Sequence, residues 1–303
     1  MLQGKTYPDW IAVDWGTTNL RAWAMQGASV LHEAKAATGM AQLSRDSFEP
    51  ALMALIHNWL PDGPIDVLAC GMVGARQGWA EAAYRTVPCA PLDDLLTPAA
   101  ARDPRLRVRI LSGLKQLSPP DVMRGEETQI AGFLSLNPNW DGVICLPGTH
   151  AKWVHVSAGE VFSFQTFLTG ELFDLLAKTS VLRHSLDPMG WDEGAFQEAL
   201  DQTLSKPEAL AARLFALRAN HLLNDVDKGS AAARLSGLLI GAELAAARPY
   251  WLGQNIALVG AASLTRHYAS ALATQGVQAT VAESAAMTRA GLTTAYQTQK
   301  ATI

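Results

Sequence analysis

Ile11-Ala12-Val13-Asp14-Trp15-Gly16-Thr17-Thr18-Asn19-Leu20-Arg21 is the stretch on which the reading of this chain turns. A short apolar run that ends on a carboxylate reads as a buried strand over 11–16. Gly16 permits a tight reversal, two hydroxyl residues follow, and Leu20 to Met25 alternates as a second strand. Such a hairpin can aim backbone N–H groups and the Thr17 and Thr18 hydroxyls at a phosphate, with Asn19 beside them, while Asp14 faces the accompanying metal. An ordinary turn after an edge strand would leave the same trace, so the surroundings have to decide.

Outward from this hairpin, Val30 to Ala37 is a third, weaker strand. A helix from Ser47 to Leu60 is stopped by Pro61-Asp62-Gly63-Pro64. Asp66 to Cys70 and Val108 to Leu111 are buried strands, and Pro88 to Pro104 between them is expected to be irregular. Three strands in a meander followed by helix and strand alternation fit one lobe of the ribonuclease-H-like fold. A second round begins near Trp140. Val143 to Leu146 is its first strand, with hairpin partners Lys152 to Val156 and Val161 to Phe167 joined at Ala158-Gly159. Helices are predicted over 170–182, 192–203, 207–223 and 230–247. A strand Ile256 to Val259, a helix Leu264 to Thr274, a strand Val277 to Val281 and a closing helix Ser284 to Tyr296 complete it. The repeated order predicts an α/β protein of two lobes with a cleft between them. Residues 1–135 form the first lobe and 136–303 the second.

Composition bounds the partners. The 303 residues suit about two domains, and 49% hydrophobic with 17% charged residues is a globular rather than a disordered balance. A formal charge of −4 gives no reason to expect nucleic acid or an anionic membrane. Cys70, Cys89 and Cys145 lack metal-ligand spacing and read as thiols in a reducing compartment. Met1 to Asp9 has no apolar core of a signal peptide, and no stretch approaches the roughly 18 apolar residues of a membrane span. Cytoplasm is the default location, and homo-oligomerisation stays open. Gly4-Lys5-Thr6 only mimics the end of a P-loop, and His32-Glu33 lacks the second histidine of a zincin.

Several motifs carry chemistry. Leu146-Pro147-Gly148-Thr149-His150-Ala151-Lys152-Trp153 ends a strand as the first hairpin does. Gly148 and Thr149 suit a phosphate, while His150 and Lys152 are candidates that could also be structural or solvated. Met123-Arg124-Gly125-Glu126-Glu127-Thr128-Gln129 opens a helix. Its acids favour the helix dipole whatever else they do, but phosphoryl transfer to a hydroxyl needs a carboxylate to take the proton. Glu126 is the first candidate for that base and Glu127 the second. Gly71-Met72-Val73-Gly74-Ala75-Arg76-Gln77-Gly78-Trp79 suits a pocket for a polyhydroxy acid. Arg76 would grip a carboxylate with Gln77 and Met72 nearby, Trp79 would cover a sugar face, and Arg21 and Arg124 are further carboxylate holders. A surface loop with a buried Trp is the plain alternative. Gly260 and Ala261, in Val259-Gly260-Ala261-Ala262-Ser263-Leu264, leave room for a base and ribose. Small residues of the closing helix, Ala285, Ala286, Ala290 and Gly291, read as helix packing.

The hairpin resembles the first phosphate loop of the actin, sugar-kinase and heat-shock-chaperone ATPases. Taken together, DWGTTNLRAW (14–23), GMVGARQGW (71–79), MRGEETQ (123–129), LPGTHAKW (146–153), LTGEL (168–172) and RLSGLLIGAEL (234–244) resemble the 2-dehydro-3-deoxygalactonokinase family, in order and over nearly the whole chain. The resemblance implies the two-lobed actin-like fold, ATP, Mg²⁺ and phosphorylation of 2-dehydro-3-deoxy-D-galactonate at its 6-hydroxyl in galactonate breakdown, before an aldolase. Sugar kinases usually keep an Asp as base where this chain has Glu126. Rival readings are a kinase for another sugar acid such as 2-dehydro-3-deoxy-D-gluconate, a non-catalytic sugar sensor on the same fold, and a chaperone- or filament-type ATPase.

Overall fold

The computed structural model describes residues 6–187, 189–224 and 226–302. Gly4 and Lys5 of the P-loop look-alike lie outside them, as does the start of the Met1 to Asp9 segment. The chain divides into two compact units, residues 1–140, 157–163 and 284–303 in the first and 141–156 and 164–283 in the second. This differs from the expected break after residue 135, with everything beyond it in one lobe, because the closing helix Ser284–Thr302 belongs to the first unit.

The first unit carries β1 (Trp10–Trp15), β2 (Leu20–Gln26), β3 (Ser29–Ala36), α1 (Phe48–Ile56), β4 (Ile65–Gly71), β5 (Tyr84–Thr86), β6 (Thr97–Ala99), β7 (Leu106–Ile110), β8 (Gly113–Leu117), β9 (Pro120–Met123) and α2 (Glu126–Leu136). Its main sheet runs β3-β2-β1-β4-β7-β6, with β1 antiparallel to β2 and parallel to β4. Alternation along β1 supplies two cores. Ile11, Val13 and Trp15 face Phe48, Leu52 and Ile56 of α1. Trp10 and Ala12 face Leu292, Ala295 and Tyr296 of the closing helix. Trp10 stacks on Tyr296 at 4.4 Å.

That helix also approaches α2 through small residues. A Cβ added to Gly132 would lie 1.9 Å from the Met287 carbonyl oxygen, and one added to Gly291 would lie 2.0 Å from that of Thr128. The packing expected for Gly291 is therefore what it does. Gly132→Ala and Gly291→Ala are each expected to destabilise the protein by about 2–3 kcal/mol through backbone displacement. Thermal unfolding would read this, and an unchanged melting temperature would contradict the contact.

The second unit holds β10 (Gly142–Leu146), β11 (Ala151–Ser157), β12 (Glu160–Phe167), α3 (Thr169–Lys178), α4 (Glu193–Ser205), α5 (Leu210–Asn224), α6 (Lys228–Ala246), α7 (Arg248–Trp251), β13 (Ile256–Gly260), α8 (Ala262–Ala273) and β14 (Ala279–Glu283). Its sheet runs β12-β11-β10-β13-β14, with β10 antiparallel to β11 and parallel to β13. Each unit thus sets an antiparallel meander beside parallel strands in the same spatial order. This is the duplicated ribonuclease-H-like arrangement that the strand pattern predicts. α6 is apolar around most of its circumference and correspondingly buried.

Two further features depart from the sequence reading. The stretch expected to be irregular contains β6, paired with β7. A small separate sheet, β5-β8-β9, was not anticipated. Among the described residues no helix is long and apolar enough to cross a membrane.

Candidate active site

In the first unit the hairpin turn is held by a segment some twenty residues away. Met40, Ala41 and Gly39 donate their N–H groups to the carbonyls of Gly16, Thr17 and Thr18 at 3.0, 3.0 and 2.9 Å. Gly39 is required there, since its Cβ would lie 2.2 Å from the Thr17 carbonyl oxygen. With the carbonyls tied back, Thr17, Thr18 and Asn19 are exposed, and the N–H groups of Thr17 and Thr18 meet no protein acceptor among the described residues. A turn that spends its acceptors internally and presents its donors suits an anion.

Asp14, next to last in β1, lies directly opposite Arg21 on β2, with a 3.3 Å ion pair and a side chain only 14% exposed. Burial raises its carboxyl above the ordinary range, Arg21 opposes that, and the charge of Glu126 reinforces it. Glu126 comes close because Gly125, at φ 109°, brings the start of α2 against Gly71 at φ 89°, where a Cβ would lie 3.2 Å from the Gly71 Cα. The strands β1 and β4 and the start of α2 therefore meet at one acidic corner. Glu126 is half-buried and accepts the Arg124 N–H at 3.1 Å.

Glu127 is different. It is 1% exposed, both its oxygens accept the Gly125 N–H at 2.9 and 2.7 Å, and Thr128 donates to it at 3.1 Å. Burial, then Glu126, pushes its carboxyl up to about 7. Its expected place as second candidate base gives way to an anchoring one, because a carboxyl enclosed by its own loop offers no oxygen to a substrate.

The 71–79 loop is rigid and divides its residues by role. Arg45 donates to the carbonyls of Arg76 and Gly78 at 2.7 and 3.2 Å, and Trp79 N–H reaches the Val73 carbonyl at 2.9 Å. Arg76 and Gln77 project into solvent, Arg76 with a weak 3.4 Å contact to Glu81. Met72 is half-buried. Trp79 is not a sugar platform. It is 8% exposed, donates its indole N–H to Ala100 at 3.0 Å and packs between Trp15 and Phe48. Arg124 is likewise internal at 8% exposure, bonded to Ala82 and stacked 4.1 Å over Tyr84. Its guanidinium is turned into the loop rather than toward solvent.

In the second unit a cavity of about 380 Å³ is lined by Gly148 and Thr149, the starts of α3 and α8, α6 and Trp191. A Cβ on Gly148 would meet nothing within 4 Å, so the loop borders open space. Gly170 lets α3 begin against it, its Cβ position lying 2.3 Å from the Gly148 carbonyl oxygen, while Glu171 N–H binds the Thr149 carbonyl at 2.9 Å. The starts of α3 and α8 thus both border this one cavity. Also on its lining, Trp191 and His267 stack at 3.8 Å. Glu193 fixes the Trp191 indole at 3.0 Å, leaving Trp191 41% exposed. Burial lowers the His267 pKa, against the nearby charge of Glu193.

His150 is exposed and bonds Glu171 at 2.6 Å. Lys152 is 4% exposed on β11 and does not line the cavity, against the expectation that it touches a phosphate. Gly260, buried, and Ala261, exposed, precede the lining residues Ser263 and Leu264 in the chain and are not themselves among the lining. The smallness of Gly260 serves Thr265, whose Cγ2 would be 2.9 Å from an added Cβ. Sequence reading missed Trp191, His267, Thr169 and Glu243. Only Thr169 and Glu243 lay within quoted motifs, and nothing local distinguished them.

Strand order, twin glycine turns and a cavity at helix starts define an actin-like ATPase fold of the sugar-kinase class. The activator of the 2-hydroxyisocaproyl-CoA dehydratase from Clostridium difficile, solved with bound ADPNP, shares the fold with a TM-score of 0.57 at 12% identity, covering 97% of this chain and 96% of that one. Within that class, residues 14–295 match the 2-keto-3-deoxy-galactonokinase family model, and the chain belongs to this family. A 2-dehydro-3-deoxygalactonokinase of Escherichia coli (strain K12) is 35% identical over 288 residues, 93% of this chain and 96% of that protein. A solved Sinorhizobium meliloti structure bearing the same enzyme name superposes with a TM-score of 0.89 at 36% identity, covering 95% and 96% of the two chains.

Proposed function

We propose that this chain transfers the γ-phosphoryl group of ATP to the 6-hydroxyl of 2-dehydro-3-deoxy-D-galactonate, in galactonate catabolism. Membership of the family carries this reading. The second-unit cavity receives the nucleotide, its base on Trp191 and His267 and its phosphates toward Gly148 and Thr149. The turn from Gly16 to Asn19 offers the N–H groups and hydroxyls of Thr17 and Thr18 to phosphoryl oxygens. On the first unit, Arg76 and Gln77 bind the sugar acid's carboxylate and hydroxyls, and Arg21 keeps Asp14 oriented. Glu126 accepts the proton of the attacking hydroxyl, and Glu127 holds the Gly125 turn that aims it.

Among the described residues no three His, Cys, Asp or Glu side chains converge as a metal cage. One carboxylate, Asp14, at an acidic corner fits a Mg²⁺ ion held mainly by phosphates and water. Such an ion would neutralise charge on the phosphates. The free thiols Cys70, Cys89 and Cys145 support a reducing compartment, the cytoplasm.

A coupled assay of ADP release tests the whole reading. ADP is expected only when the keto-deoxy acid is present, and faster with the galactonate-derived acid than with its gluconate epimer. Equal release without acceptor would mean a simple ATPase, and none under any condition would mean a sensor.

A further inference from the structure

Glu243 lies on α6, 3% exposed, far in sequence from every group it binds. One oxygen accepts the Trp153 indole N–H at 2.8 Å. The other accepts the Tyr268 hydroxyl at 2.7 Å and the Thr169 hydroxyl. Those partners belong to β11, α8 and α3, and both hydroxyl residues line the cavity. Burial raises the Glu243 carboxyl, while its three donors favour the charged form. An apolar side chain could fill this space without the cost of burying a carboxylate, so the consequence to seek lies in what the carboxylate does to its neighbours.

A hydroxyl has one proton and two lone pairs. We infer that Glu243 is a positioning residue of the nucleotide cavity, which accepts hydrogen bonds from the Thr169 and Tyr268 hydroxyls and so leaves those two oxygens able only to accept from a ligand. This rests on reading the cavity as the nucleotide site. Ligand groups that donate, such as ribose hydroxyls and the amino group of adenine, match such a wall. Groups that only accept, such as phosphate oxygens or a keto oxygen, are turned away from it. The nucleotide is thereby oriented with its sugar and base toward this wall and its phosphates toward the N–H groups of the Gly148-Thr149 turn.

Glu243→Gln tests this at constant volume. The amide oxygen still accepts from Trp153, but the NH₂ group donates to both hydroxyl oxygens and turns their protons toward the cavity. The KM for ATP is expected to rise about tenfold, with kcat, the KM for the sugar acid and the melting temperature nearly unchanged. Thr169→Val should raise the KM for ATP in the same way, and Thr169→Ser should restore it. An unchanged KM for ATP in both Glu243→Gln and Thr169→Val, or a joint fall of kcat and melting temperature that Thr169→Ser also shows, would reduce Glu243 to a structural tie. Amide hydrogen exchange of the wild-type protein with a non-hydrolysable ATP analogue separates the two readings. Protection at 169–175 and 263–268 is expected. Its absence overturns the nucleotide assignment and the positioning role with it, whereas protection alongside an unchanged KM overturns the positioning role alone.

Discussion

Asp14→Asn is expected to cut phosphoryl transfer by about a thousandfold and to leave the protein folded. The exchange keeps the shape of the side chain near the end of β1 but removes the charge proposed to face the phosphate-bearing ligand. Stability should not suffer, and the sign follows from the direction of the pKa. The Asp14 carboxyl is raised on folding, chiefly by burial. The native state therefore binds its proton more tightly than the unfolded chain does, and ionised Asp14 costs stability above the ordinary carboxylate range. Asparagine abolishes that cost, so the melting temperature near neutral pH should hold or rise while kcat collapses. Near-wild-type turnover would refute the assigned role. A collapse of both quantities would show that the Arg21 pair matters more to the fold than 14% exposure and a 3.3 Å separation imply.

Glu126→Gln should lower kcat by about 10²–10⁴-fold with little change in the KM for the sugar acid, as expected when a general base is lost. The amide oxygen can still accept the Arg124 N–H, so the turn survives. Glu127→Gln is the control with the opposite signature. Its carboxyl rises from the model-peptide value of 4.5 to about 7 on folding. Between those values the native state holds the proton that the unfolded state has released. Wild-type stability should therefore decline as pH rises through that window, by about 3 kcal/mol in total. Chemical denaturation at a series of pH values should show this slope flattened in Glu127→Gln. If instead Glu127→Gln lost turnover and Glu126→Gln did not, the assignment of the base would have to be exchanged.

Much of this architecture is legible in local pattern. Apolar runs ending at Asp14, Gly71, Leu146 and Gly260 mark strands of both sheets to within a residue, because a strand buried on both faces has little choice of composition. What escaped is nonlocal. Gly39 matters only because Thr17 lies against it, and the Glu243 bonds span 74 and 90 residues. Indoles mislead for a related reason. Trp79 and Trp191 look alike in sequence, yet one lies between Trp15 and Phe48 and the other is held at a cavity mouth by Glu193. The arginines divide in the same way, with Arg76 reaching solvent and Arg124 closed in behind Gly74.

The return of residues 284–302 to the first unit has a consequence for biosynthesis. On the ribosome, the strands from Trp10 to Ile110 emerge long before the helix that covers one face of their sheet. Trp10, Trp23 and Met25 must wait, partly uncovered, for Leu292, Ala295 and Tyr296. Residues 141–156 and 164–283, by contrast, are all made before that helix appears. The part of the polypeptide translated first is thus completed last.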